Sequence, residues 1–541
     1  MNLVLLFSCW LSFVHLTSTA KILCIFPTIS LSHYYIGHSL VKGLAARGHH
    51  ITYLTQFEEK EKIQNVRSEV LKDSKPDVIT EMNFFEMIGQ TPFSILFSSV
   101  KMSLENTEQV LSDPVVQAAL NGNDTYDLVI AEWVQTDALQ GIAYRLKVPS
   151  VLMTSFVPSI LTNYITANPD LPSFMPHVFG NCDQRMNFLE RTQNFLLTVV
   201  QGLHHKFYYL PEHDKLLHKY VPEAPTISEL NANTAAQIFN SNPVINGPLP
   251  LMPNMIEVGG IHVELPKKLP EDLQKYLDEA DDGVIYFTLG GNLKSKHLPL
   301  ETRNAILSVF SKFKQRVLWK FEEDLPEKPG NVEIRKWLPQ QDVLAHPNVK
   351  LFITHGGLLG TIESLYRGVP VLGIPVFFDQ LMNMRNAERL GVGISVPYKE
   401  FTEEKFFNAI NRMLRDSSYS QTVKKLAVLL RDEQVTPVEK AVFWIEYVLR
   451  NGGAPHLKSV AHDLSWYQYY SLDVIFFLVV IVAVLIKNYA VNSVANNNHR
   501  LRHSGRWGVV KSSYNDRARQ FRVHVSCALY PLTVHKQTMG S

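Results

Sequence analysis

The chain has 541 residues, 46% of them apolar, enough for two domains of about 200 residues each with sizeable cores. Its 52 basic and 51 acidic residues leave a net charge of +1, which excludes the basic excess of an ordinary nucleic-acid binder. Four cysteines, Cys9, Cys24, Cys182 and Cys527, are too few and too scattered for a disulfide framework, and Cys24 reads as a small apolar residue of a buried strand.

Residues 1–20 read as a signal peptide: a mostly apolar run from Leu3 to Val14, then the small residues Ser18 and Ala20 where a cleavage site needs them. A first α/β half, 21–240, follows. Strand Ile22–Phe26 leads through a loop with Ser32 and His33 into an amphipathic helix that runs to Arg47, and Gly48 ends it. Further strands are read at Ile51–Leu54, Asp127–Ala131 and Val148–Leu152, with a helix at 138–146 and mostly helical pattern over 160–235. Strands alternating with helices imply a parallel sheet. The sequon Asn123-Asp-Thr125 makes Asn123 a candidate glycosylation site in a lumenal body.

A proline-rich stretch, Asn240 to Pro253, marks an extended linker placed at 241–262. The second half, 263–465, repeats the theme with strands at Val284–Leu289, Val317–Lys320, Leu351–Thr354 and Val369–Ile374. Two such halves leave a cleft between them, and ligands bind at the carboxyl ends of the strands. Near the end, the apolar run Val474–Ile486 is flanked by Trp466, Tyr467, Tyr469 and Tyr470 on one side and Lys487 on the other, so 466–488 reads as a membrane span. From Lys487 onward there are nine Lys or Arg and one acidic residue, Asp516, which makes 489–541 a cytoplasmic tail, polar and disordered after Val491. The body is then lumenal, in a single-pass type I protein of the endoplasmic reticulum membrane.

The richest stretch runs from Phe352 to Gln380 and reads as strand, glycine turn, helix, strand, loop. His355 and Gly356-Gly357, with Gly360 one turn on, stand at a helix N-terminus, where backbone and dipole receive a phosphate. Glu363 lies within the helix, where its carboxylate can accept from sugar hydroxyls. Asp379-Gln380 offers a carboxylate and an amide for vicinal hydroxyls. Upstream, Trp337-Leu-Pro-Gln340 pairs a flat aromatic with an amide, as a shelf for a base would. His49-His50 and His204-His205 are adjacent pairs that do not share a helix face, and they read as surface or packing residues, not as a metal site.

This segment resembles the signature of the UDP-glycosyltransferase family that includes the animal UDP-glucuronosyltransferases. The resemblance extends through Phe443-Trp-Ile-Glu446 and His462-Asp-Leu-Ser-Trp466 to about residue 490, and Asp127-Leu-Val-Ile-Ala-Glu-Trp133 looks more like the insect branch. It implies a GT-B fold: two Rossmann-like domains facing a cleft, acceptor site in the first and UDP-sugar site in the second, followed by a transmembrane helix. It also implies that Trp337 stacks on uracil and that Gln340 bonds the base edge or ribose. His355 through Gly357 to Gly360 would hold the diphosphate, Glu363 the ribose, and Asp379 with Gln380 the transferred sugar. Arg335 matches a basic position before the Trp. No resident cofactor is implied; the UDP-sugar is a co-substrate.

The family's base is a histidine after the first strand, and His33 stands there, able to take the proton of an acceptor hydroxyl. The carboxylate that orients it has two candidates. Glu132 holds the matching position, whereas Asp137 has the family's residue type, which favours Asp137. Gly291 stands where relatives carry Ser near the phosphates, a loss of about 1 kcal/mol of donor binding. The implied activity is inverting transfer of a hexose, on the insect-like features glucose, to a hydroxyl of a small lipophilic acceptor, a reaction of detoxification or conjugation. The alternative, suggested by Gly291 and Glu132, is a catalytically weak, membrane-anchored protein that holds a UDP-sugar or a lipophilic ligand. The sequence gives no oligomeric state.

Overall fold

Continuous runs of Ile, Leu, Val and Phe, buried on both faces, are what a parallel sheet covered by helices demands. The computed structural model, which describes residues 19–59, 61–72, 85 and 88–503, builds two such sheets. The first half contributes β1 (Lys21–Phe26), α1 (Leu31–Ala46), β2 (His50–Thr55), β3 (Val66–Val70), α2 (Pro92–Ser112), β4 (Leu128–Glu132), β5 (Ser150–Thr154), α3 (Ile160–Thr166), α4 (Phe188–His204), α5 (Leu210–Tyr220), β6 (Ala236–Phe239) and β7 (Met255–Glu257). The second contributes β8 (Val284–Thr288), β9 (Arg316–Lys320), β10 (Val332–Arg335), α6 (Gln340–Leu344), β11 (Val349–Thr354), α7 (Leu358–Arg367), β12 (Val371–Gly373), α8 (Gln380–Arg389) and β13 (Gly393–Ser395).

The strand orders are β3-β2-β1-β4-β5-β6-β7 and β10-β9-β8-β11-β12-β13, with every pairing parallel. In each sheet the order reverses once, between β1 and β4 and between β8 and β11. At such a switch point the loops leaving neighbouring strands turn to opposite faces and open a crevice at the carboxyl end. The residues after β1, β4, β8 and β11 are therefore the ones the fold exposes to a ligand.

Two boundaries differ from the sequence reading. The stretch 241–262 is not a free linker: β7 pairs with β6, and Asn240, Ser241 and Asn242 are buried. The prolines there shape turns and a short helix (Pro243–Asn246) that packs on α8, where Arg389 donates to the Ile245 carbonyl at 2.9 Å. The chain also returns after the second half. Helix α9 (Pro437–Arg450), started by a Thr436/Glu439 capping box, packs on α1. Its Val438 sits so close to Gly43 that a Cβ there would be 2.5 Å from a Val438 methyl. Glu446 of α9 receives the Arg47 guanidinium at 3.0 and 3.3 Å. Residues of the Phe443–Glu446 motif thus tie the chain's late segment to its first helix.

The segment Asp463–Ser541 forms a separate unit. In it, α10 (Leu472–His503) carries a 25-residue stretch, Leu472–Asn496, long and apolar enough to cross a membrane. At 1.5 Å per residue it spans about 37 Å, against a hydrocarbon core of about 30 Å. The helix continues past Val491 to His503, where sequence alone suggested a disordered tail. Residues 1–18 of the expected signal peptide and 504–541 of the expected tail, including Cys9 and Cys527, lie outside the described residues. Cys24 and Cys182 are free and buried, and Asn123 sits in an exposed loop.

Candidate active site

His33 lies in the first turn of α1, immediately beyond the carboxyl end of β1. Glu132 is the last residue of β4, which pairs with β1 through Ile25 and Ala131. The register brings the two side chains out of the sheet together, and His33 Nδ1 meets Glu132 Oε1 at 2.5 Å. The other carboxylate oxygen accepts from the Thr28 backbone N–H at 3.2 Å, so Glu132 is held from both sides, 1% exposed. With Nδ1 donating to a carboxylate, the imidazole carries its proton on Nδ1 and leaves Nε2 as the acceptor. The ring packs edge-on against Phe156, with centroids 5.7 Å apart.

Asp137, favoured by residue type, does not reach His33. The chain has turned into a short 3-10 segment, Asp137–Leu139, and the carboxylate is buried behind the sheet end. There it accepts from Trp133 Nε1 at 3.0 Å, from the Tyr164 hydroxyl at 2.8 Å and from the Tyr209 hydroxyl. Its contacts bind α3 and the turn before α5 to the residues after β4, and the carboxylate in contact with His33 is that of Glu132.

At the second switch point, His355 follows β11 and the Gly290-Gly291 turn follows β8. The His355 ring explains two glycines: a Cβ on Gly290 would lie 2.6 Å from its Cε1, and one on Gly357 2.5 Å from its Nε2. Gly290 also has a φ of +90°, in the left-handed region that glycine allows freely. Burial, with the charge of Lys320 adding, pushes the His355 imidazole down to about 4, so at neutral pH it is an uncharged N–H donor beside the N-terminus of α7. Gly291 differs from its neighbour: a Cβ there meets nothing within 4 Å, and its φ is not positive. Gly291→Ser is therefore expected to fit without strain and to tighten UDP binding by about 1 kcal/mol, roughly fivefold. Titration calorimetry with UDP checks this, and unchanged affinity would mean that residue 291 does not face the phosphates.

The remaining residues sort themselves by contact. Gln340 donates to Glu363 at 2.6 Å while its carbonyl oxygen accepts from the Tyr286 hydroxyl at 3.3 Å, so it orients the Glu363 carboxylate. A Cβ on Gly360 would stand 3.3 Å from the Gln340 amide, which keeps that turn small. Trp337 is 55% exposed, a flat apolar surface open to a ligand. Asp379 lies at the start of α8, directly after Phe378, which holds a φ of +52°. Such strain is maintained only where surrounding structure fixes it. Asn383 donates to Asp379 at 2.8 Å. Burial raises the Asp379 carboxyl above its ordinary range, while Asn383 and the nearby charge of His33 pull it back. Gln380 uses its carbonyl oxygen on the backbone N–H groups of Val376 and Phe377, at 2.8 and 3.2 Å, so only its NH2 end can serve a sugar. Arg335 pairs with Asp272 at 2.9 Å and Glu333 at 3.0 Å, and these contacts commit its guanidinium outside this cluster.

Sequence reasoning missed four side chains. Lys320, the last residue of β9, donates to the Gly290 carbonyl at 2.9 Å, pairs with Glu322 at 3.1 Å and stands 5.9 Å from the Trp337 ring centre. Its place at a strand's carboxyl end was the available signal. Asn292 donates to Ser30 at 3.1 Å and ties the turn after β8 to the loop that leads to His33. His262 lies 3.5 Å from Glu363, and Tyr35 of α1 is close enough to feel the Glu363 charge.

The comparisons with known proteins bear on the family and the fold. The family model "UDP-glucoronosyl and UDP-glucosyl transferase" matches residues 20–500. The chain is 36% identical over 482 residues to UDP-glycosyltransferase UGT5 of Dactylopius coccus, covering 88% of this chain and 92% of that one. It is 37% identical over 474 residues to UDP-glucosyltransferase 2 of the same species, covering 85% and 90%. It is 30% identical over 505 residues to UDP-glucuronosyltransferase 2B19 of Macaca fascicularis, covering 90% and 94%. Among solved structures it resembles UDP-glucose: anthocyanidin 3-O-glucosyltransferase in complex with UDP, at a TM-score of 0.54 and 18% identity, covering 80% of this chain and 99% of that one. The calicheamicin glycosyltransferase CalG4 is similar at 0.53 and 19%, with the same coverage, and at these identities the likeness shows the GT-B fold alone. With two Rossmann-like sheets and the matched family model running from the first strand through α10 to residue 500, the chain belongs to the UDP-glycosyltransferase family and is a glycosyltransferase.

Proposed function

We propose that the enzyme transfers glucose from UDP-glucose, with inversion, to a hydroxyl of a small lipophilic acceptor. The observation that supports this most directly is the 2.5 Å contact of His33 with Glu132 at one switch point, where Asn292 from the other half bonds Ser30 of the same loop at 3.1 Å. His33 Nε2 takes the acceptor's proton as the acceptor oxygen bonds the anomeric carbon. The bond from that carbon to the diphosphate oxygen breaks, its electron pair leaves with UDP, and Glu132 stabilises the imidazolium. A donor attacked on the face opposite its UDP yields a β-glycoside. His355, the N-terminus of α7 and Lys320 receive the diphosphate charge, Glu363 holds the ribose, Trp337 the uracil, and Asp379 with the Gln380 NH2 group the sugar. No resident cofactor takes part.

Glucose as the donor sugar is supported by the Dactylopius coccus relatives, one of them named a UDP-glucosyltransferase. An acceptor site in the first half, conjugation of lipophilic compounds as its use and glycosylation at Asn123 belong to the same reading. So do a lumenal body in the endoplasmic reticulum and a type I anchor through α10. The Glu132 contact with His33 supports transfer over the binding-protein alternative, whose remaining motive is Gly291. The test is UDP release from a panel of UDP-sugars with a phenolic acceptor, in sealed and in detergent-opened microsomes. Release with UDP-glucose, hidden in sealed vesicles until detergent is added, is the expected result. No release with any sugar would overturn the transferase mechanism, and full activity in sealed vesicles would overturn the lumenal orientation.

A further inference from the structure

The stretch that joins the two halves ends in a buried histidine with nothing to bond. His262 is 2% exposed, and neither of its ring nitrogens has a hydrogen-bond partner among the described residues. A buried polar group left unbonded is costly to keep, and in a native structure it calls for an explanation. Its Nε2 lies 3.5 Å from Glu363 Oε1, at the edge of bonding distance. The backbone around it is fixed. Gly260 has a φ of +87°, and a Cβ there would lie 2.7 Å from the Tyr366 ring, so glycine lets this turn press on α7. Tyr366 of α7 donates its hydroxyl to the Gly259 carbonyl at 3.0 Å, and Arg367 donates to the Glu264 carbonyl. Gln341 of α6 donates to the His262 carbonyl at 2.9 Å and accepts from the Glu264 N–H at 2.9 Å. The turn is thus fastened to α6, which carries Gln340, and to α7, which carries Glu363.

The Glu363 carboxylate is itself buried, and its two oxygens are held unequally. Oε2 receives the Gln340 amide at 2.6 Å, whereas Oε1 has Gln341 at 3.4 Å and His262 at 3.5 Å. A carboxylate offers about four lone-pair sites, so Oε1 has room for a ligand hydroxyl beside a protein donor. With that oxygen next to it, Nε2 is the ring nitrogen that carries a proton. A shift of a few tenths of an ångström would turn the contact into a bond and fix the oxygen that is now loose.

We infer that His262 is a positioning residue for the donor's ribose. Its Nε2–H bonds Glu363 Oε1 when the nucleotide binds and holds the carboxylate in the orientation that accepts a ribose hydroxyl. The segment between the halves thereby supplies a side chain to the donor site. This rests on the reading of Glu363 as the ribose residue, and the test tells the two apart.

Affinities for UDP, 2′-deoxy-UDP and 3′-deoxy-UDP are measured by calorimetry on the full-length protein in detergent, for the parent, His262→Leu, His262→Gln and Glu363→Gln. The parent should bind UDP roughly 10- to 150-fold tighter than at least one deoxy analogue, the range for a lost charged hydrogen bond. A leucine side chain fills much of the ring's volume and donates nothing. His262→Leu should therefore weaken UDP but not that analogue, and narrow the ratio by about three- to tenfold. A glutamine NH2 reaches the place of Nε2, so His262→Gln should keep the parent ratio. If His262→Leu does not fold, His262→Asn, whose shorter amide ends near the place of Nδ1, carries the same prediction. Equal weakening of UDP and the analogue would show a packing role and overturn the inference. So would a parent ratio in His262→Leu, or a ratio lost in His262→Gln as well. Glu363→Gln reports the underlying reading. If it narrows the ratio and His262→Leu does not, the His262 role alone falls. If the parent binds all three nucleotides alike, or Glu363→Gln keeps the ratio, Glu363 does not hold the ribose and both readings fall.

Discussion

Replacing His33 by alanine is expected to leave the fold and UDP affinity at parent values and to lower turnover about a hundredfold or more, the scale of a positioned general base. His33 sits on α1 of the first half, and its side chain contacts Glu132 and Phe156, whereas Glu363, Gln340 and His355 lie in the second half and keep their own partners. Truncation therefore removes a proton acceptor without disturbing the UDP site. A nitrophenol, which needs less help in losing its proton, should recover part of the loss, and an aliphatic alcohol should show all of it. Turnover with both acceptors, beside UDP calorimetry, checks the prediction. Near-parent transfer to the alcohol would remove His33 from the mechanism.

The second large effect separates the two ends of the donor. Trp337→Ala takes away an exposed stacking face and is expected to weaken UDP itself by about 1–3 kcal/mol. Asp379→Ala should leave UDP affinity nearly unchanged while reducing kcat/KM for UDP-glucose by about 10- to 150-fold, the range for a lost charged hydrogen bond. The pH dependence carries the same assignment. Burial raises the Asp379 carboxyl, so on acidification it protonates before an ordinary carboxylate would. The KM for UDP-glucose should climb on the acid side from a higher pH than an unshifted carboxylate would give, with UDP affinity flat over that range. Equal loss of UDP affinity in both variants would mean that the two ends have been exchanged.

How much of this the sequence discloses depends on whether an element's identity is written in local pattern. The buried central strands β1, β2, β4, β5, β8, β9, β11 and β12 are near-continuous apolar runs and are readable within a residue or two. β3, Val66-Arg-Ser-Glu-Val70, is an edge strand half open to water, and its charges erase the pattern. β13, of three residues, is too short to show one. β7 hides in a proline-rich stretch, because only its pairing with β6 makes it a strand. The return of α9 to α1 is a tertiary fact that helical periodicity cannot contain.

The site divides in the same way. His355, Glu363 and Asp379 are readable as candidates from residue type beside strand ends, whereas His33 as the base is what the family resemblance implies. The choice between Glu132 and Asp137 is not local. Which of them reaches His33 follows from the β1–β4 register, which delivers the last residue of β4 to the β1–α1 turn, and from Trp133, Tyr164 and Tyr209, which bond Asp137. Lys320 and Asn292 became visible only when neighbouring loops were assembled around the Gly290-Gly291 turn.

The central claim is the His33–Glu132 pair, and single-turnover rates of Glu132→Gln and Asp137→Asn with UDP-glucose and a phenol test it most directly. A glutamine at 132 can present its NH2 to Nδ1, which favours the tautomer with the proton on Nε2, where the acceptor needs a base. The account predicts that Glu132→Gln reproduces most of the His33→Ala defect, about a hundredfold. Asp137→Asn, whose carboxylate serves Trp133 and two tyrosines, should lower the melting temperature but leave the folded enzyme's rate near parent. A parent-like rate for Glu132→Gln together with a His33-like defect for Asp137→Asn would contradict it.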